Sequence, residues 1–176
     1  QHCRGSVLDV GAGTGSHALL LQQNPEITVA ALDNSHEACK IMRLRGVKNV
    51  IETNFPDPTI GKFDTLLFMM NGIGITGSIK GLQKFLKEAR SYLNPGGQLL
   101  FDSSDISYLF EQGIEMPINH YYGEVQYQYE YKFKKGNWFK WIFVDQHTLQ
   151  KIAQESGWKM NLLYEDGNDQ YLVSLT

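Results

Sequence analysis

The sequence predicts an α/β domain: a doubly wound, mostly parallel sheet of seven strands, carrying an inserted β-hairpin. Three observations predict it. Apolar strand-type runs alternate with helical patterns as far as Asp102, the rhythm of a parallel sheet covered on both faces. The first run stops at "GAGTG", where Gly11, Gly13 and Gly15 alternate at the mouth of a helix. Beyond residue 123 the hydrophobic period becomes two, as in an antiparallel ribbon.

The elements follow in order. Ser6 to Val10 is a short strand and Thr14 to Gln23 a helix. Ile27 to Asp33 is the second strand, and Asn34 or Ser35 caps a helix that stops at Gly46. Residues 48 to 53 make a third strand, and "PDPTIGK" a loop. Phe63 to Met70 is apolar on both faces, as a buried parallel strand is. From Ser78 to Leu93 the residues Ile79, Leu82, Phe85, Leu86, Ala89 and Leu93 form one helical stripe. "NPGG" breaks it, and Gln98 to Asp102 is the fifth strand. A short helix covers Ile106 to Gln112. "EVQYQYEYKF" and "WFKWIFV" then pair around Gly136-Asn137. His147 to Ser156 is helical, and residues 158 to 165 and 170 to 175 are the last strands.

The 176 residues form one domain, 1–176, with 105–145 as an insertion on the substrate side. A first strand starting by residue 6, and Gln1 at the start, lead us to expect a missing N-terminal segment. The net charge of −3 and the absence of a basic tract disfavour nucleic acid as partner. No apolar run is long enough to span a membrane. Two cysteines, Cys3 and Cys39, make no disulfide framework and fit a cytoplasmic location. The five histidines form no metal-ligand pattern with them, so no metal is expected.

The glycine turn is where chemistry is expected. An open parallel sheet binds ligands beyond the carboxyl ends of its strands, and glycine lets backbone approach a ligand closely. Asp33 ends the second strand 22 residues after Gly11, where a carboxylate can accept from both hydroxyls of a ribose. The dinucleotide fingerprint GxGxxG is not met, because Ser16 stands at its third glycine. Asp9, two residues before the turn, would repel a pyrophosphate and attract an ammonium. A nucleoside joined to an amino acid suits the site better than a dinucleotide.

"VLDVGAGTG" resembles the first motif of the class I S-adenosylmethionine-dependent methyltransferases. "VAALDNS", "IETNFPD", "FDTLLFMMNGIG" and "LNPGGQLLFDSS" resemble their later segments in the same order. The resemblance covers residues 6 to about 104 and the closing helix and strands from 147. It implies a Rossmann-like sheet whose last strand is antiparallel, and S-adenosylmethionine as cofactor. It also implies roles. Gly11, Gly13 and Gly15 would meet the methionine part, and Asp9 its ammonium. Asp33 would hold the ribose, with Asn34 beside it. Asn54, where the family usually has an acid, would meet the adenine edge and Phe55 its face. Met70 and Asn71 would line the floor near the transferring methyl.

Each role has a structural rival. Asp33 can cap the following helix. Asn54 and the pair Asn71-Gly72 suit turns, and Phe55 and Met69-Met70 suit a core. The family's Asn-Pro-Pro-aromatic device is replaced by Asn71-Gly72-Ile73-Gly74, so amide or base N-methylation is not supported. In-line transfer to a small-molecule acceptor needs a base only if the nucleophile arrives protonated. His120 and Tyr121, with Tyr122 beside them, are the candidates, against a plain surface loop. His17, His36 and His147 are weaker ones. Tyr127, Tyr129, Tyr131, Trp138 and Trp141 could wall an acceptor pocket or form a dimer surface, but packing on an added sheet is the expected role. A nicotinamide-dependent oxidoreductase and a non-catalytic binding module are the alternatives, and either a monomer or a homodimer is expected.

Overall fold

The computed structural model describes residues 2–111 and 113–176. Gln112, the expected end of the short helix, and Gln1 lie outside the described residues. The elements of the sheet are β1 (Ser6–Val10), β2 (Thr28–Asp33), β3 (Val50–Glu52), β4 (Phe63–Phe68) and β5 (Leu93–Ser104), joined late in the chain by two more strands. With hairpin strands β6 (Glu124–Tyr127), β7 (Glu130–Tyr131), β8 (Lys134–Lys135) and β9 (Phe139–Ile142) between, those two are β10 (Met160–Glu165) and β11 (Gln170–Leu175). The seven-stranded order is β10-β11-β5-β4-β1-β2-β3. β1 to β5 run parallel, and β11 is antiparallel to both β5 and β10. The expected fold is the observed one.

Two core layers follow from the period of two within buried strands. Leu8, Val10, Ala30, Leu32, Leu66 and Phe68 face one side. There α3 (Ile79–Glu88) lays down Leu82, Phe85 and Leu86, and α4 (Gln146–Glu155) lays down Leu149, Ile152 and Ala153. The alternate residues Val7, Val29, Ala31 and Leu67 face Ala18 of α1 (Ser16–Leu21) and Cys39 and Met42 of α2 (His36–Arg45). Ser35 caps α2 by accepting from the Ala38 N–H, and Gly46 ends it at φ 90°. Ser78 caps α3 and Asp145 caps α4 in the same way. Among the described residues no helix is long and apolar enough to cross a membrane.

Five features differ from the sequence reading. α1 starts only at Ser16, because Gly15 sits at φ 83° as its N-cap. β4 ends at Phe68, because Met70 and Asn71 turn at φ 60° and 54°. The Asp102 carboxylate holds that turn: both its oxygens lie 3.1 Å from the Asn71 N–H. After Glu88 the helix tightens into a 3₁₀ turn, Ala89–Tyr92, and between Ser107 and Phe110 a 3₁₀ turn stands where a short helix was expected. The hairpin reverses at Lys132 and Phe133, both at positive φ, and not at Gly136-Asn137. Two successive positive-φ residues match the twist of the flanking strands.

Candidate active site

The carboxyl ends of β1, β2 and β4 open into a two-lobed cleft. The glycine turn divides the lobes. Gly11 and Ala12 N–H groups both donate to Leu32 O, at 2.9 and 3.0 Å, which ties the turn to β2. Gly11 and Gly13 have φ of 71° and 55°, and a Cβ on either would project into open space. They are glycines for backbone conformation, and they leave bare peptide facing the cleft. Gly15 is different. A Cβ there would stand 2.7 Å from Val47 Cγ2 and 2.9 Å from Met42 Cγ. Its place lies in the packing of α1 against α2, and it does not line the cleft, contrary to the expectation that all three glycines meet the ligand.

The larger lobe, about 710 Å³, lies between the ends of β2 and β3 and the hairpin. Asp33 stands at its wall with each carboxylate oxygen engaged once. Oδ2 accepts from Gly13 N–H at 2.8 Å and Oδ1 from Ser35 N–H at 2.9 Å. The helix cap is Ser35 itself, so Asp33 keeps outward lone pairs toward the lobe. Asn34 Nδ2 donates to Asn54 Oδ1 at 3.1 Å, and the pair forms a polar rim. Phe55 reaches the lobe only as the edge of an aromatic cluster. Its ring packs on Phe68, Phe85 and Tyr92 with centroids 5.5, 5.8 and 5.4 Å away. That packing is the core role the sequence left open for it.

The smaller lobe, about 350 Å³, is walled by Asp9, the glycine turn, His17, Met69 and Met70. Asp9 is 1% exposed, and its Oδ2 has no hydrogen-bond partner among the described residues. Burial pushes the Asp9 carboxyl up to about 6, opposed by the nearby His17 charge and a backbone N–H from Ala18. A buried carboxylate oxygen without a donor is costly unless a ligand supplies one. An ammonium is the group that fits it.

Three expectations about this floor are corrected. Asn71 is buried but does not line the lobe. Its Nδ2 donates to Ile142 O at 3.0 Å and its Oδ1 accepts from Ser103 Oγ at 2.8 Å. The amide is spent on pinning the end of β9 to β5. Tyr121 is turned away as well: its hydroxyl donates to Asp145 Oδ2 at 2.6 Å, as Tyr122 does to Asp105 Oδ1 at 2.7 Å. Burial, with neighbouring carboxylates, pushes both phenols well above their ordinary range, so they hold their protons. Neither suits a base. His120 is exposed in the loop before them and lines neither lobe.

The hairpin covers the cleft. Tyr129 and Trp141 wall both lobes, with Ile75 opposite them. The Trp141 indole lies on Gly74, where any Cβ would overlap its Nε1, Cδ1 and Cε2. Glu124 Oε1 accepts from Ile79 N–H at 2.8 Å and fixes the root to α3. The expectation that the aromatic face packs on a core fails at the tip: Tyr129, Tyr131 and Trp138 are 76%, 72% and 63% exposed. β6 pairs only with β9, so the tip has no second layer to cover it. Gly74→Val is expected to expel Trp141 and cost about 1–3 kcal/mol, as overpacking does. A urea midpoint equal to that of the wild type would show that the indole can move aside.

His17, Ile75 and Lys140 are lining residues that sequence reasoning did not place there. His17, two positions beyond Gly15, carried a usable signal, because the first turn of α1 starts at the cleft. Ile75 and Lys140 depend on how the hairpin folds back, which no local pattern encodes. Among the described residues no His, Cys, Asp or Glu group is placed to hold a metal.

The comparisons agree with this geometry. A family model described as a methyltransferase domain matches residues 3–163. A SAM-dependent methyltransferase from Bacteroides fragilis, solved with S-adenosyl-L-homocysteine, is 38% identical over 99% of this chain and 73% of that one, with a TM-score of 0.89. DhpI, solved as a complex with SAM and HEP, is 22% identical over 98% and 78%, with a TM-score of 0.72. A methyltransferase from Clostridium acetobutylicum is 15% identical over 99% and 84%, with a TM-score of 0.65. These last two share the fold. No curated protein matches the sequence. The partnerless Asp9 oxygen and the open space at Gly11 and Gly13 fit the amino-acid end of S-adenosylmethionine, and Asp33 fits its ribose. With that fit and the match across 3–163, the chain belongs to the methyltransferase-domain family and is an S-adenosylmethionine-dependent methyltransferase.

Proposed function

We propose that the methyl acceptor is a small-molecule nucleophile that enters the smaller lobe from the side walled by Tyr129 and Trp141, facing the cofactor's methionine end on the glycine turn. One observation carries this reading: the smaller lobe has only about 350 Å³, while the neighbouring lobe holds the polar groups a nucleoside needs. The net charge of −3 gives nucleic acid no electrostatic attraction.

Asp9 would hold the ammonium, the Gly11 and Gly13 backbone the methionine chain, Asp33 the ribose diol, and Asn34 and Asn54 the adenine edge. When bound, S-adenosylmethionine supplies an already activated methyl on a sulfonium. The protein therefore has little bond chemistry to perform. Its task is to hold the acceptor in line, with reacting atoms about 3 to 3.5 Å apart. Tyr129 and Trp141 offer aromatic faces, which tolerate a neighbouring cation.

The test uses methyl-labelled S-adenosylmethionine incubated with the purified chain and fractionated cell extract. Label is expected in the low-mass fraction, and unlabelled NAD in excess should not reduce it. Transfer confined to the protein or nucleic-acid fraction would reject a small-molecule acceptor.

A further inference from the structure

We propose that the His17 imidazole is the partner of the carboxylate at the amino-acid end of the cofactor, and so selects ligands that carry it. The proposal rests on the S-adenosylmethionine reading of the cleft and adds a residue to it.

The smaller lobe has ionisable walls of opposite kind. Asp9 offers a buried carboxylate oxygen with no donor among the described residues. A ligand that satisfies it with an ammonium brings a carboxylate on the adjoining carbon into the same lobe. That second anion arrives near Asp9 in a place of low polarity, where like charges repel strongly. It needs a cationic donor of its own.

His17 is the residue placed to be that donor. It lines the lobe that Asp9 lines, from the first turn of α1. Its charge is felt at both Asp9 and Asp102, which sets the ring within electrostatic range of the two acids around the floor. The other basic groups nearby are differently placed. Arg45 stands behind the turn, with Nη1 donating to Thr14 O at 2.6 Å, Thr14 Oγ1 at 3.0 Å and Ser16 Oγ at 3.4 Å. Lys140 lines the larger lobe. Thr14, Ser16, Tyr129 and Trp141 are the other polar side chains of the smaller lobe, and their hydroxyls and indole are neutral. Among the described residues, His17 is the lining group of this lobe that can carry positive charge.

Titration calorimetry with three ligands tests the assignment. S-adenosylhomocysteine carries both ammonium and carboxylate, its decarboxylated analogue keeps the amine, and 5′-methylthioadenosine lacks both. His17→Gln is expected to weaken S-adenosylhomocysteine roughly tenfold, the loss of one charge-assisted hydrogen bond. The other two ligands should change less than about twofold, and His17→Lys should restore most of the loss. Equal weakening of all three ligands would make His17 a prop for α1 and overturn the proposal, as would an unchanged affinity for S-adenosylhomocysteine. Failure of the folded wild type to bind S-adenosylhomocysteine would instead overturn the cofactor reading, and this assignment with it.

Discussion

Asp33→Ala is expected to lower the affinity for S-adenosylhomocysteine roughly a hundredfold. The carboxylate ends β2 at the wall of the larger lobe, and each oxygen already accepts one backbone N–H, from Gly13 and from Ser35. Those two bonds fix its plane and leave its remaining lone pairs for the ribose hydroxyls. Hydrogen bonds to a charged acceptor contribute about 1.5–3 kcal/mol each. Two of them, less the water they displace, give about 3 kcal/mol, or roughly a hundredfold in affinity. Loss of the Gly13 contact adds to the effect by loosening the turn. Ser35→Ala is the control: it removes the cap of α2, costs about 1 kcal/mol of stability and leaves the ribose contacts in place. If both variants weaken binding equally in calorimetry, Asp33 acts as a structural support for α2 and not as a ligand.

The legible parts of this protein were those set by short-range rules. Strand periodicity, a cap at Asn34 or Ser35 and the stop at Gly46 are local, and they located β1, β2 and α2 within a few residues and the start of α3 at Ser78. The positions of Asp9, Asp33, Asn34 and Asn54 at strand ends followed from the same frame. Asn71 was misread because its role is non-local: its amide joins Ile142, 71 residues away, to Ser103. Tyr121 was misread for a similar reason, since its carboxylate partner Asp145 lies 24 residues on. Gly15 showed how one residue type can hide two roles. Its two neighbours in the pattern leave open space for a ligand, while it makes room for Met42 and Val47. The aromatic hairpin obeyed its period of two but not the inference drawn from it, because alternation reports two unlike faces and not what covers them.

Asp9→Asn is expected to stabilise the ligand-free protein while removing much of its cofactor affinity. The Asp9 carboxyl titrates at about 6 in the folded chain against an ordinary 3.8, chiefly because it is buried. The sign follows from proton counting. Between those two values the native state binds more protons than the unfolded state, so this group's contribution to stability falls as pH rises. The cost of the buried charge is absent below 3.8, develops through about 6 and is complete at pH 8. At 1.36 kcal/mol per pH unit the gap corresponds to about 3 kcal/mol at most. Other carboxylates run the opposite way: Asp64, Asp57 and Glu52 are held low by hydrogen bonds and lose stability in acid. The difference between wild type and Asp9→Asn in urea, measured from pH 4 to 8, therefore isolates the group. It should favour the variant at pH 8 and shrink toward zero at pH 4. Binding should show the converse cost. The decarboxylated analogue keeps the amine that Asp9 receives and removes the carboxylate assigned to His17. Its affinity for the wild type should fall as pH drops through about 6, and its affinity for Asp9→Asn should be low and flat. A variant less stable than the wild type at pH 8, or one that binds the analogue equally well, would mean that the partnerless oxygen is not held open for an ammonium. A residue that costs stability in the empty protein and recovers it with ligand is how a binding site departs from a well-packed core.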